Sequence, residues 1–165
     1  MAEESWLSGK LDGFSDVLMP TAHAFLQAIV DVEKHAAYLT YDELSMKPND
    51  APSAAFHLRH IAGSVDRLLT YARGEDLSET QFEFLKLETS ETSDLTAEEL
   101  INQAISSIEN ALDFCKTVAP EILFEERFVG RKKLPTNVFG LLFHIAEHTA
   151  RHVGQIITTA KIVRK

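Results

Sequence analysis

The chain has 165 residues, 45% hydrophobic and 25% charged, with a formal net charge of -9 and a single cysteine. That length suits one domain with its own core, and the acidic balance argues against nucleic acid or an anionic membrane as main partner. One cysteine allows no intrachain disulfide, and no run approaches a membrane span or a leader's apolar region, so a cytoplasmic protein is expected.

Residues 1–13 are polar, with two glycines and Trp6, and are expected to form an arm leading into a domain over 14–165. A first long helix is expected from about Phe14 to Leu39, with Leu18, Ala22, Phe25, Leu26, Ile29 and Val32 on its apolar side. Pro20 belongs in its first turn or marks a kink. His23 and His35 also lie on this helix and are assigned no role. Residues 42–52 hold two prolines and an Asn-Asp pair, which marks a connection. Asp50 or Ser53 would cap a second helix carrying Ile61, Val65, Leu68, Leu69 and Ala72 as its stripe, with Gly74 at its end.

From Gly74 to Leu95 the chain is acidic, with Glu75, Asp76, Glu79, Glu83, Glu88, Glu91 and Asp94 against Lys86. A solvated loop with a short turn tucked against the domain is expected there. The third helix opens with a capping box, Thr96 and Glu99, flanked by the hydrophobic staple Leu95 and Leu100. It runs to about Ala119, before Pro120. Cys115 on this helix is expected to be a small buried hydrophobe rather than a nucleophile. Residues 120–137 alternate apolar and charged side chains around Gly130 and suggest a short hairpin or an irregular lid. Arg131, Lys132 and Lys133 are expected to form a solvated turn. Thr136 or Asn137 would cap the fourth helix, and four amphipathic helices with two long connections give an all-α four-helix bundle.

The fourth helix, Val138 to Lys161, carries His144, His148 and His152, each four residues after the last. Four residues return the side chain to nearly the same face about 6 Å further along, so an adjacent pair can point at one cation. The outer two lie about 12 Å apart along the axis and cannot easily share one. Measured from Ile145 at roughly 100° per residue, His152 falls near -20°, His148 near -60° and His144 near -100°. The first two therefore turn into the core and the third lies at its edge. Two buried imidazoles need partners; either alone could be a core histidine bonded to a carbonyl or a carboxylate, but for two on one face a shared metal is favoured. His57 and His60 form a second pair on the second helix. A third imidazole from there would complete a three-nitrogen site with room for water or substrate. Periodicity favours His57, which lies closer to the stripe.

Two segments carry a family resemblance. His60-Ile61-Ala62, followed by Val65, Leu68 and Leu69 and closed by Arg73-Gly74-Glu75, resembles the second helix of the DinB/YfiT-like family. His148-Thr149-Ala150-Arg151-His152-Val153-Gly154-Gln155 resembles that family's last-helix pattern H-x-x-x-H-x-G-Q. The resemblance spans roughly residues 14–162. It implies a four-helix bundle in up-down-down-up order, often dimeric, with a divalent metal held by His60, His148 and His152. It thus selects His60 over His57. Gly154 would let a neighbouring helix approach closely, Gln155 could orient a ligand imidazole, and His57 and His144 would be further pocket or supporting histidines.

The better-understood relatives imply a metal-dependent enzyme, with zinc or nickel, that activates a low-molecular-weight thiol toward a small electrophile. Three neutral imidazoles leave the ion's +2 charge undiminished, which suits that chemistry. The alternatives are a non-catalytic, metal-stabilised interaction or stress-response module and a metal-dependent hydrolase. A homodimer is expected on the resemblance alone.

Overall fold

Four long helices carry the fold, and three of them begin at a side chain that accepts from a free N–H group. In the computed structural model, which describes residues 4–89 and 94–164, they are α1 (Met19–Ala36), α3 (Ala54–Ala72), α5 (Ala97–Thr117) and α6 (Val138–Val163). Residues 1–3 of the expected arm and Glu91 of the acidic stretch lie outside the described residues.

Pro20 sits in the first turn of α1, where its missing N–H costs nothing. That helix starts at Met19 rather than near Phe14, because residues 14–18 are turns and coil. Ser53, not Asp50, caps α3, its hydroxyl accepting from the Phe56 N–H at 3.2 Å. Thr96 and Glu99 close the capping box of α5 in both directions. Asn137 caps α6 through Oδ1, which accepts from the Gly140 N–H at 2.7 Å.

Helix α1 packs on α5 and α6, and α3 packs on the same two. Phe25, Leu58, Ile61, Ile108, Leu142, Ile145 and Ile156 are sealed between them. Both faces of α3 are engaged, so its buried positions are spread widely around the helix. The fold is predominantly helical, with one small two-stranded sheet. No described helix is long and apolar enough to cross a membrane.

The connections hold more structure than their composition suggests. The stretch after α1 contains α2 (Tyr41–Ser45), opened by a Thr40–Glu43 capping box. The region 120–137 holds a hairpin, β1 (Glu126–Val129) antiparallel to β2 (Leu134–Asn137), turning at Gly130 with φ +69°. Arg127 of β1 donates through Nε to the Ala72 carbonyl at 2.9 Å, satisfying one of the free acceptors at the end of α3. At the other end of the chain, His23 is buried and donates through Nε2 to the Gly9 carbonyl at 2.9 Å, which ties the N-terminal arm to α1.

The acidic stretch folds differently from the expected solvated loop. It is not an extended solvated loop, because residues Glu79–Leu87 form the helix α4. Its start is a capping box, Ser78 with Gln81, in which each side chain accepts the other residue's backbone N–H. Glu88, at the end of α4, is buried against α3 with only 2% of its surface exposed.

Candidate metal centre

Helices α3 and α6 lie side by side, and this contact brings together histidines that are 88 and more residues apart in sequence. On α6, Ile145, Thr149 and Ile156 are buried, and His148 and His152 lie half-buried beside them. From α3, His60 reaches the same point. Its ring centroid is 5.1 Å from that of His148 and 4.4 Å from that of His152. One nitrogen from each of His60, His148 and His152 lies within 4.8 Å of the other two.

The protonation pattern follows from the partners. A carboxylate only accepts, so the contact of 2.8 Å between Glu88 Oε2 and His60 Nδ1 places a hydrogen on His60 Nδ1. In the neutral ring, His60 Nε2 is then a bare lone pair, 3.4 Å from His148 Nε2. Burial pushes His148 down to about 4 and His152 down to about 3, and the neighbouring His60 adds to both shifts. Both rings are therefore neutral near pH 7. His57 Nδ1 and His152 Nδ1 lie 2.8 Å apart and share one hydrogen. When His152 is the donor, its Nε2 is the free lone pair.

Glu88 was not legible as a functional residue in the acidic stretch, yet it is the best-held carboxylate at the cluster. Burial pushes its carboxyl up, but hydrogen bonds from His60 and Arg67, with the Arg67 charge, outweigh this and hold it below the ordinary range. Arg67 Nη1 donates to Oε1 while His60 takes Oε2. Gly63, one turn before Arg67 on α3, makes the room. A Cβ there would overlap the Glu88 carboxylate and stand 2.7 Å from Phe84 Cδ1 on α4. A glycine inside a helix costs about 1 kcal/mol relative to alanine, and the seat for Glu88 and Phe84 is what it permits. The one available signal was the Ser78–Gln81 box, which announces a helix where acidity suggested a loop.

Each remaining histidine has a definite place. His57 is the more buried of the α3 pair, as periodicity indicates, but it stands behind His152 rather than in the cluster. Burial, reinforced by His60, pushes it down to about 4. Phe56 separates the two rings, stacking on His60 at 5.6 Å and meeting His57 edge-on at 5.3 Å. His144 is exposed and bonds Glu147 at 2.7 Å, its ring 5.4 Å from that of His148. Two expectations on α6 do not match the packing. Gly154 is exposed with nothing within 4 Å of an added Cβ, so no described helix approaches it closely. Gln155 is also exposed and makes no hydrogen bond to a cluster imidazole among the described residues. The side of α6 that bears them faces away from its neighbours.

The donor set fits a divalent ion. Imidazole nitrogens about 2.0–2.1 Å from a tetrahedral zinc are separated by about 3.3 Å, close to the 3.4 Å between His60 and His148. Neutral rings with one nitrogen bare and the other hydrogen-bonded are the form in which histidine binds metal. His60, His148 and His152 thus form a group that could hold a metal ion. The family model of the DinB superfamily matches residues 24–156. The chain belongs to the DinB superfamily. All three clustered histidines and Glu88 lie inside the span that matches the DinB superfamily. No curated protein matches the chain.

Proposed function

We propose that this DinB superfamily protein is a metal-dependent enzyme that binds one zinc or nickel ion through His60, His148 and His152. Its reaction would be the transfer of a low-molecular-weight thiol to a small electrophile. The observation that carries the metal reading is the convergence of three imidazoles from two packed helices, with burial keeping His148 and His152 neutral. A cavity of about 320 Å³ that reaches His60 and His148 favours an enzyme over a metal-stabilised module. Thiol chemistry comes from the family resemblance, as do the homodimer and the up-down-down-up order of a four-helix bundle, whereas the cytoplasmic location comes from cysteine usage.

When bound, a divalent ion held by three uncharged ligands supplies a full positive charge that lowers the pKa of a thiol reaching it. The chain's own residues prepare for that. Glu88 accepts the His60 Nδ1 hydrogen and thereby aims the bare Nε2 into the cluster. Arg67 anchors Glu88, so the carboxylate cannot swing to take a proton elsewhere. His57 accepts from His152 Nδ1 in the tautomer that leaves His152 Nε2 free. Burial keeps His148 and His152 from protonating at neutral pH, so no proton must be displaced for them to bind.

The test is a screen of zinc- and nickel-loaded protein against bacillithiol, mycothiol, glutathione and cysteine, with 1-chloro-2,4-dinitrobenzene as electrophile. A C–S bond forms, the C–Cl bond breaks, and the thiol proton leaves with chloride. Metal-dependent thioether formation, lost in His148→Ala and His152→Ala, is the expected result. Stoichiometric metal binding without turnover of any thiol would move the non-catalytic reading ahead.

A further inference from the structure

Two of the cavities that flank α3 differ in chemistry, and only one of them reaches the imidazoles. The one of about 740 Å³ lies between α3 and α5, is rimmed by polar side chains such as Asp66, Ser107 and Asn110, and touches none of the histidines. The one of about 320 Å³ opens on His60 and His148 and is walled by Leu68, Leu77, Phe82 and Leu85. Three of these four come from α4 or the turn before it, the segment whose composition suggested a solvated loop.

Phe82 and Leu85 are 38% and 43% exposed, which is unfavourable on a helix that has buried Glu88 nearby. Neither belongs to the packed core, and both instead line the approach to the imidazoles. Volume at the lower end of ligand pockets excludes a helix or a folded partner and suits a small molecule. Its polar lining is His60, Ser64, Arg67, Tyr71 and His148. Of these, His60 and His148 belong to the imidazole cluster, and Arg67 is already engaged by Glu88.

We infer that the cavity between α3 and α4 receives the apolar part, aromatic or branched aliphatic, of a small substrate whose polar end meets His60 and His148. The inference rests on the metal reading of that cluster and adds the substrate class. Phe82 and Leu85 are then specificity-determining residues, and α4 is the element that selects the substrate. Removing their side chains weakens binding of an apolar group without touching the residues that hold the metal.

Calorimetric titration of zinc-loaded protein with acetohydroxamate and benzohydroxamate is the test, since these probes share a metal-binding head and differ by a phenyl ring. Benzohydroxamate is expected to bind about tenfold tighter or better, the gain from burying the ring. In Phe82→Ser/Leu85→Ser that advantage should shrink to near unity, with acetohydroxamate affinity and thermal melting kept close to wild type. Both side chains are partly exposed, so the double variant opens no core cavity. Equal affinities for the two probes in the wild type would overturn the inference and leave the metal reading standing, as would an advantage that survives the double substitution. If zinc itself fails to bind, the metal reading falls and this inference falls with it.

Discussion

Replacing Glu88 with glutamine keeps the shape of the side chain but changes what each end can do. The carboxylate accepts from His60 Nδ1 at 2.8 Å and from Arg67 Nη1, and its side chain is 3% exposed. A carboxamide offers one accepting oxygen and one donating NH2. If the oxygen faces His60, the NH2 opposes the Arg67 guanidinium, donor against donor. If the oxygen faces Arg67, the NH2 points at His60 Nδ1, which must then accept. The neutral ring in that case carries its hydrogen on Nε2, the atom 3.4 Å from His148 Nε2, and a ligand lone pair is lost. Loss of such an outer partner typically costs about 10–100-fold in metal affinity, or about 1.4–2.7 kcal/mol. Folding also loses a hydrogen bond between charged groups, worth about 1.5–3 kcal/mol. The low end applies, because the Arg67 side chain keeps 11% exposure and is not fully shut off from water. For a chain of this length that is a fall of roughly 3–6 °C in the metal-free Tm. Competition titration against a chromogenic chelator measures the first effect and circular dichroism melting the second. Gly63→Ala is an independent perturbation of the same contact, since its Cβ displaces the carboxylate, and it should weaken metal binding in the Glu88 background but not add to Glu88→Gln. A Glu88→Gln protein that melts lower yet binds metal with wild-type affinity would refute the positioning argument.

Metal titration of His148→Ala and His152→Ala should show near-complete loss of stoichiometric binding, and His60→Ala should lose more affinity than His57→Ala, which stands outside the cluster. A larger loss at His57 would mean that it, not His60, is the ligand. Chelation should leave the far-ultraviolet circular dichroism helical and the unfolding cooperative, with a lower Tm, because the buried core does not depend on a metal clip; collapse of the helical signal would point to a structural metal. Cys115 is buried and its thiol is pushed up to about 12, whereas an unfolded thiol ionises near 8.5. The unfolded chain therefore loses its proton first, so stability should fall as pH rises above about 8.5, by up to about 1.4 kcal/mol per unit from this group. Urea midpoints at pH 8 and 10 should drop further in the wild type than in Cys115→Ala. Light scattering at micromolar concentration should report a homodimer, and a monomer alone would remove that proposal.

The boundaries of the long helices, those of α1 excepted, were legible because the signals are local. Thr96 and Glu99, Pro20 and Gly74 act on backbone groups within one turn of themselves, so tertiary packing does not need to be known. The pairing of His148 with His152 is local in the same sense, since an interval of four residues on a helix sets their common face before any neighbour arrives. The choice between His57 and His60 was not of this kind. Periodicity ranks depth correctly and finds His57 the more buried, but the cluster forms where the edge of α3 meets α6, and a helix gripped on two sides has no single inward direction. The α6 reading of Gly154 failed for a related reason, because whether a small residue receives a neighbour depends on where that neighbour packs. Glu88 is the clearest case. Nothing local distinguishes it from the acidic residues around it, and its burial, its bond to His60 and its bond to Arg67 arise only when α4 folds across α3 at Gly63. A carboxylate's environment is set by groups 28 and 21 residues away in sequence, and only packing brings them within 3 Å.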